Sequence, residues 1–169
     1  MKLNIVKYPD PVLAKPGEPV TEFDDNLRKL VEDMFETMYD GHGVGLAAPQ
    51  VGVSKRLIVI DLSGGENPAE RIVLINPEII AHEGQQYGDE GCLSFPQVYE
   101  KVSRSGWVKV RAQDEYGKWF EREGHELLAR CFEHEIDHVD GTQFIFRMSK
   151  LKRDMVLRKI RKMQREGEW

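Results

Sequence analysis

The chain has little cysteine: two residues, Cys92 and Cys131, in 169. That excludes a disulfide-stapled scaffold, and the two thiols form no CxxC pair. No stretch approaches the roughly 20 apolar residues that a membrane span requires. The start, Met1 to Pro9, lacks the apolar run of a signal peptide. A reducing, cytoplasmic setting without membrane attachment is therefore expected. Positive charge is also in deficit: 24 basic against 29 acidic side chains give a net charge of −5. This argues against DNA or bulk nucleic-acid binding. Repeats and low-complexity segments are absent.

What remains has the size and composition of one soluble domain over residues 1–169, with 40% hydrophobic and 31% charged residues. The charge is unevenly spread. Residues 1–146 carry 15 basic and 26 acidic side chains, whereas Arg147 to Arg165 carry nine basic and one acidic. Residues 149–165 thus read as a basic C-terminal helix on an acidic body. Leu151, Met155, Ile160 and Met163 are its predicted apolar face.

The first strong helix is predicted over Asp25–Tyr39. Leu27, Leu30, Val31, Met34, Phe35 and Met38 form one continuous stripe, Asp24 or Asp25 caps it, and Gly41 and Gly43 end it. The prolines at 9, 11, 16 and 19 keep the preceding segment irregular. Arg56–Leu62 and Arg71–Ile75 read as strands parted by a Gly/Asn/Pro turn. Trp107–Ala112 alternates apolar with polar and is turned by Asp114-Glu115-Tyr116-Gly117 toward a hairpin partner at Lys118–Arg122. Helices are predicted over Glu126–Val139 and Lys150–Arg165. The order suggests α+β: antiparallel or mixed sheets around the second of the three helices.

That central helix carries His134-Glu135-Ile136-Asp137-His138, an HExxH motif. Histidines at i and i+4 share one face and can ligate one divalent ion. Glu135 can then reach a water at the metal without ligating it, and serve as general base and acid. The third ligand is not where related motifs put it. An HExxHxxGxxH pattern needs histidine at 144, where the chain has Phe144, and the downstream acids Asp154, Glu166 and Glu168 sit in or beyond the basic helix. Cys131 is poorly placed. The metal must lie near the axial level of residue 136, and Cys131 is about 7.5 Å below it at 1.5 Å per residue. It reads as a packing residue. Cys92, in Glu90-Gly91-Cys92-Leu93-Ser94, is the better ligand, brought over the helix by a β segment in which Gly91 allows close approach.

With these residues in place the sequence resembles the peptide deformylase family. Three motifs match in order: Gly43-Val44-Gly45-Leu46-Ala47-Ala48-Pro49-Gln50, Glu90-Gly91-Cys92-Leu93-Ser94, and the HExxH helix. The resemblance spans nearly the whole chain. It implies hydrolytic removal of the N-formyl group from the formyl-methionine of nascent polypeptides, with release of formate. It implies a metal held by Cys92, His134 and His138, most often Fe²⁺, with Zn²⁺, Ni²⁺ or Co²⁺ as substitutes. It assigns Glu135 as general base and acid, and Gln50 with the backbone N–H of Leu93 as donors to the formyl oxygen. It puts Gly43, Val44, Gly45, Glu90, Gly91, Leu127 and Cys131 around the substrate, and pairs Glu90 with Arg104 behind the site. Arg130 stands where many members have an apolar residue, and Gly88 where some have a bulkier one. His42, His82 and His125 carry no motif and are expected at the surface. The basic helix suggests docking on ribosomal RNA. The rival readings are an HExxH endopeptidase and a zinc-stabilised binding module.

Overall fold

The computed structural model describes residues 1–169. Helix α1 spans Asp25–Asp40, capped by the Asp24 carboxylate, which accepts from the Leu27 N–H at 2.9 Å. Seven strands follow: β1 (Gly45–Ala47), β2 (Leu57–Ile60), β3 (Ile72–Glu83), β4 (Gln86–Cys92), β5 (Phe95–Arg104), β6 (Trp107–Gln113) and β7 (Trp119–His125). Helix α2 spans Leu127–Val139 and α3 Lys150–Arg165. No helix is long and apolar enough to cross a membrane.

Strands β1, β2, β3, β6 and β7 pair in that order into one sheet, and β4 with β5 form a separate two-stranded ribbon. All of these pairings are antiparallel. The α+β expectation holds, and its "mixed" option does not. The sheet is covered on both faces, which explains the unbroken apolar run of β2. Leu57 and Val59 face α1 through Val31, Met34, Phe35 and Met38. Ile58 and Ile60 face α2 through Ala129, Phe132, Ile136 and Val139. Alternate side chains point to opposite faces, so both sets are buried. Each large side chain removed from water here contributes about 1.5–3 kcal/mol.

The hairpin partner expected at Lys118–Arg122 is Trp119–His125, and two further expectations need correction. The strand expected to stop at Ile75 runs on to Glu83. Its register shifts between Ile75 and Glu78, where Asn76 and Pro77 interrupt the apolar run, and beyond that point it is mostly exposed. The apolar face of α3 is formed by Val156, Ile160 and Met163, not by Leu151 and Met155, which are exposed. These three pack with Phe144, Ile145 and Met148 against Phe95, Val98 and Val102 of β5. This third cluster holds the ribbon beside α2, and that contact positions the site.

Candidate metal centre and substrate cavity

The site forms where the β4–β5 ribbon crosses α2. The ribbon was legible only as a single β segment at Gly91-Cys92. Its residues Gly88, Asp89, Glu90 and Gly91 have low strand propensity, and pairing rather than propensity makes them extended. The glycine at 91 does meet a close neighbour, but not the helix. A Cβ there would lie 2.6 Å from the ring of Tyr99, its ladder partner.

At the end of β4, Cys92 reaches α2. Cys92, His134 and His138 offer ligand atoms that all lie within 4.8 Å of one another. The Cys92 Sγ is 3.3 Å from the His138 Nε2. On the other side of His134, Nδ1 lies 2.5 Å from Oε2 of Glu90, so Nε2 is left to face Cys92. One thiolate and two imidazoles on one side of a point suit a single divalent ion with a coordination position to spare. Cys131 is not part of the triad; it is buried in the core against α2's neighbours.

The electrostatics favour a cation. Burial works against charge on His134, but Glu135, Cys92 and Glu90 around it outweigh burial and raise its pKa well above 6.5. The same negative surroundings attract a divalent ion, which must displace the proton from the ring in order to bind. Burial, then the charges of His134 and Arg104, lower the pKa of His138, which keeps that ring neutral. Burial also pushes the Glu135 carboxyl up to about 7. Its Oε1 is buried without a hydrogen-bond partner.

Beside the triad lies a cavity of about 590 Å³. Its walls include Gly43, Val44, Gly45, Gln50, Glu90, Gly91, Cys92, Leu93, Leu127, Cys131, His134 and Glu135, so twelve of the thirteen residues singled out from the sequence meet there; His138 is fully buried behind. Gln50 is buried, and its Oε1 accepts from the Ala47 N–H at 3.0 Å. That bond fixes the amide so that Nε2 points toward Cys92 Sγ (3.4 Å) and Ser94 Oγ (3.2 Å). The Glu90 carboxylate is committed elsewhere. It accepts from Arg104, Arg130 and His134, so only its backbone is free to meet a substrate.

Sequence reasoning did not find Pro96, Gln97, Tyr99 and Asp89 in the wall. They arrive through the pairing of β5 with β4, and nothing local announces it. His42 is exposed as expected, yet it also lines the cavity rim; His82 and His125 are exposed and lie outside it. The expected Glu90–Arg104 pair is part of a larger buried network: Arg104 also donates to Asp137 at 2.8 Å, and Asp137 accepts from Arg147 at 2.7 Å.

An α+β scaffold with a Cys/His/His centre and a buried carboxylate at a cavity defines a class: the mononuclear metallohydrolases. Comparison with known proteins narrows this. Residues 2–154 match the family model described as "Polypeptide deformylase". The chain is 68% identical over 165 residues to the peptide deformylase of Acidobacterium capsulatum, covering 98% of this chain and 97% of that protein. It is 48% identical to that of Alkalilimnicola ehrlichii, covering 98% and 92%. Among solved structures, a peptide deformylase from Legionella pneumophila superposes with a TM-score of 0.92 at 48% identity, covering 99% of this chain and 98% of that one. The peptide deformylase from Thermus thermophilus superposes at 0.87 with 43% identity, covering 94% and 93%. The chain belongs to the polypeptide deformylase family, hydrolases that remove the N-formyl group from nascent polypeptides.

Proposed function

We propose that Cys92, His134 and His138 hold one Fe²⁺ ion and that Glu135, Gln50 and Leu93 carry out deformylation of formyl-methionyl peptides at it. A bound divalent ion supplies a Lewis acid and acidifies water enough to attack at neutral pH. Zn²⁺, Ni²⁺ and Co²⁺ suit the same donor set.

The observation that carries the reading is the unpartnered, buried Oε1 of Glu135 beside the triad. A carboxylate there accepts the proton released as water adds to the formyl carbon. It returns that proton to the amide nitrogen as the C–N bond breaks, and formate and a free amine leave. The oriented Nε2 of Gln50 and the backbone N–H of Leu93 donate to the formyl oxygen as negative charge builds on it. Such a donor is worth roughly 2.7–4 kcal/mol. Val44, Leu127 and Cys131 provide apolar surface for the methionine side chain. Gly43, Gly45 and Gly91 leave room for the peptide backbone beside them.

Protein purified without oxygen and analysed for metal is expected to carry iron. With iron or nickel bound, it is expected to release formate from formyl-Met-Ala-Ser and to leave unformylated peptides uncut. Internal cleavage without formate would favour the endopeptidase reading. A binding module would give neither product.

The basic face of α3 supports docking on ribosomal RNA, close to where nascent chains emerge. Arg161 and Lys162 are exposed, whereas Arg153 is half-buried, Lys152 donates to Tyr87 at 2.5 Å and Lys159 donates to the Gln97 carbonyl at 2.9 Å. Charge reversal at Arg161 and Lys162 is therefore the cleaner test. It is expected to weaken co-sedimentation with ribosomes; unchanged co-sedimentation would contradict the docking.

A further inference from the structure

Arg130 is a charged residue with only 8% of its side chain exposed, set in the wall of the substrate cavity. Its Nη1 donates to Oε1 of Glu90 at 2.7 Å and to the Val102 carbonyl of β5 at 3.1 Å. The other oxygen of Glu90, Oε2, lies 2.5 Å from Nδ1 of His134. Arg130 and His134 stand four residues apart on α2, one turn from each other on the same face. The two ends of one carboxylate thus bridge successive turns of the helix. Arg104 closes the middle, with Nε 3.0 Å from Oε1 and Nη2 2.6 Å from Oε2. Each oxygen of Glu90 accepts two bonds. Without Arg130, Oε1 keeps only the bond from Arg104, and Arg104 is itself pulled toward Asp137.

Gly88 leaves open space beside this arrangement. It precedes Glu90 by two residues on β4 and so faces the same side. A Cβ on Gly88 would sit 3.4 Å from Nη2 of Arg130, with no other atom within 4 Å. Nη2 has no hydrogen-bond partner, so the guanidinium is held here by its Nη1 bonds alone. A space-filling role would be better served by an apolar side chain, since burying an incompletely paired charge carries a large desolvation cost.

We propose that Arg130 is a positioning residue: from the cavity wall it fixes Glu90, and through Glu90 it fixes the ring of His134 toward the metal. This rests on the reading of His134 as a ligand. Partners bonded directly to metal-bound histidines typically change metal affinity 10–100-fold when removed, and the low end of that range is expected for Arg130, one bond further out. Three variants test the role, with metal dissociation rate and the visible spectrum of the Co²⁺-loaded protein as readouts. Arg130→Leu is expected to lose Co²⁺ about 10-fold faster or more and to shift the spectrum, while circular dichroism stays native. Arg130→Lys, which can keep one bond to Glu90, is expected to recover most of the loss. Arg130→Met, which keeps the length of the side chain but none of its donors, is expected to move both readouts in the direction of Arg130→Leu, and it keeps the test decisive if Arg130→Leu fails to fold. A lowered melting temperature with wild-type dissociation and spectrum would make Arg130 merely structural and overturn the proposal. So would an Arg130→Lys protein as defective as Arg130→Leu. Wild-type protein that binds no stoichiometric metal would instead defeat the reading of the triad, and the proposal with it.

Discussion

A side chain on Gly45 would put its Cβ 2.6 Å from Oε2 of Glu135. Backbone at the start of β1 therefore forms one wall of the slot that holds this carboxylate, and only glycine leaves the slot open. Gly45→Ala is expected to displace the Glu135 carboxylate by a fraction of an ångström or more. Misplacement on the 1 Å scale costs about 100-fold in rate. The expected outcome is a kcat lowered by about that factor with metal content unchanged, because Glu135 is not one of the three triad residues. A wild-type kcat would show that the carboxylate tolerates the shift.

The two cysteines are expected to separate cleanly. Cys92→Ala removes a donor from the triad and should lose metal and formate release together, as read by metal analysis and assay on one sample. Cys131 belongs to the core, and burial followed by the charges of Glu135 and Glu90 pushes its thiol up to about 12. It is expected to resist iodoacetamide at pH 8 in the folded protein. Cys131→Ala should keep its metal and cost about 1 kcal/mol of stability in urea unfolding.

Tyr39 on α1 donates to Asp61 at 2.5 Å. Burial, and then this bond, push the Tyr39 hydroxyl up to about 12 from 10.0. The fold thus favours the protonated phenol. Its contribution is complete below pH 10 and is lost as pH rises from about 10 through about 12. Burial acts the other way on Asp61, but bonds from Ser63 and Tyr39 outweigh it and hold that carboxyl below its ordinary value. Its contribution is present above about pH 4 and lost as pH falls below that. Tyr39→Phe is expected to cost of the order of 1 kcal/mol at pH 7. It should also flatten the fall in melting temperature between pH 10 and 12 relative to wild type. Parallel curves over that window would exclude the pair as their cause.

Elements with strong periodic signals were legible in the sequence. The stripe from Leu27 to Met38 and the alternation at Trp107–Ala112 lie within about a residue of their expected bounds; α3 keeps its expected bounds too, but not the apolar face read for it. The β4–β5 ribbon was not legible as a hairpin, because Gly88-Asp89-Glu90-Gly91 becomes extended only through pairing with β5. The triad could be assembled because HExxH encodes its own geometry on a helix, and Cys92 was the thiol left within reach. Arg130 showed only as a departure from the family pattern. Its partner Glu90 lies 40 residues away on another element, and nothing in a local window joins them.

The proposed proton transfer depends most directly on Glu135. Glu135→Gln keeps the size and hydrogen-bonding capacity of the side chain but removes its ability to take and return a proton. Wild type and variant, purified together and loaded with the same metal, should bind equal amounts. Formate release from formyl-Met-Ala-Ser should fall by at least 10²–10⁴-fold in the variant, the usual scale of a positioned acid–base group. A fully metallated Glu135→Gln protein that releases formate at the wild-type rate would contradict it.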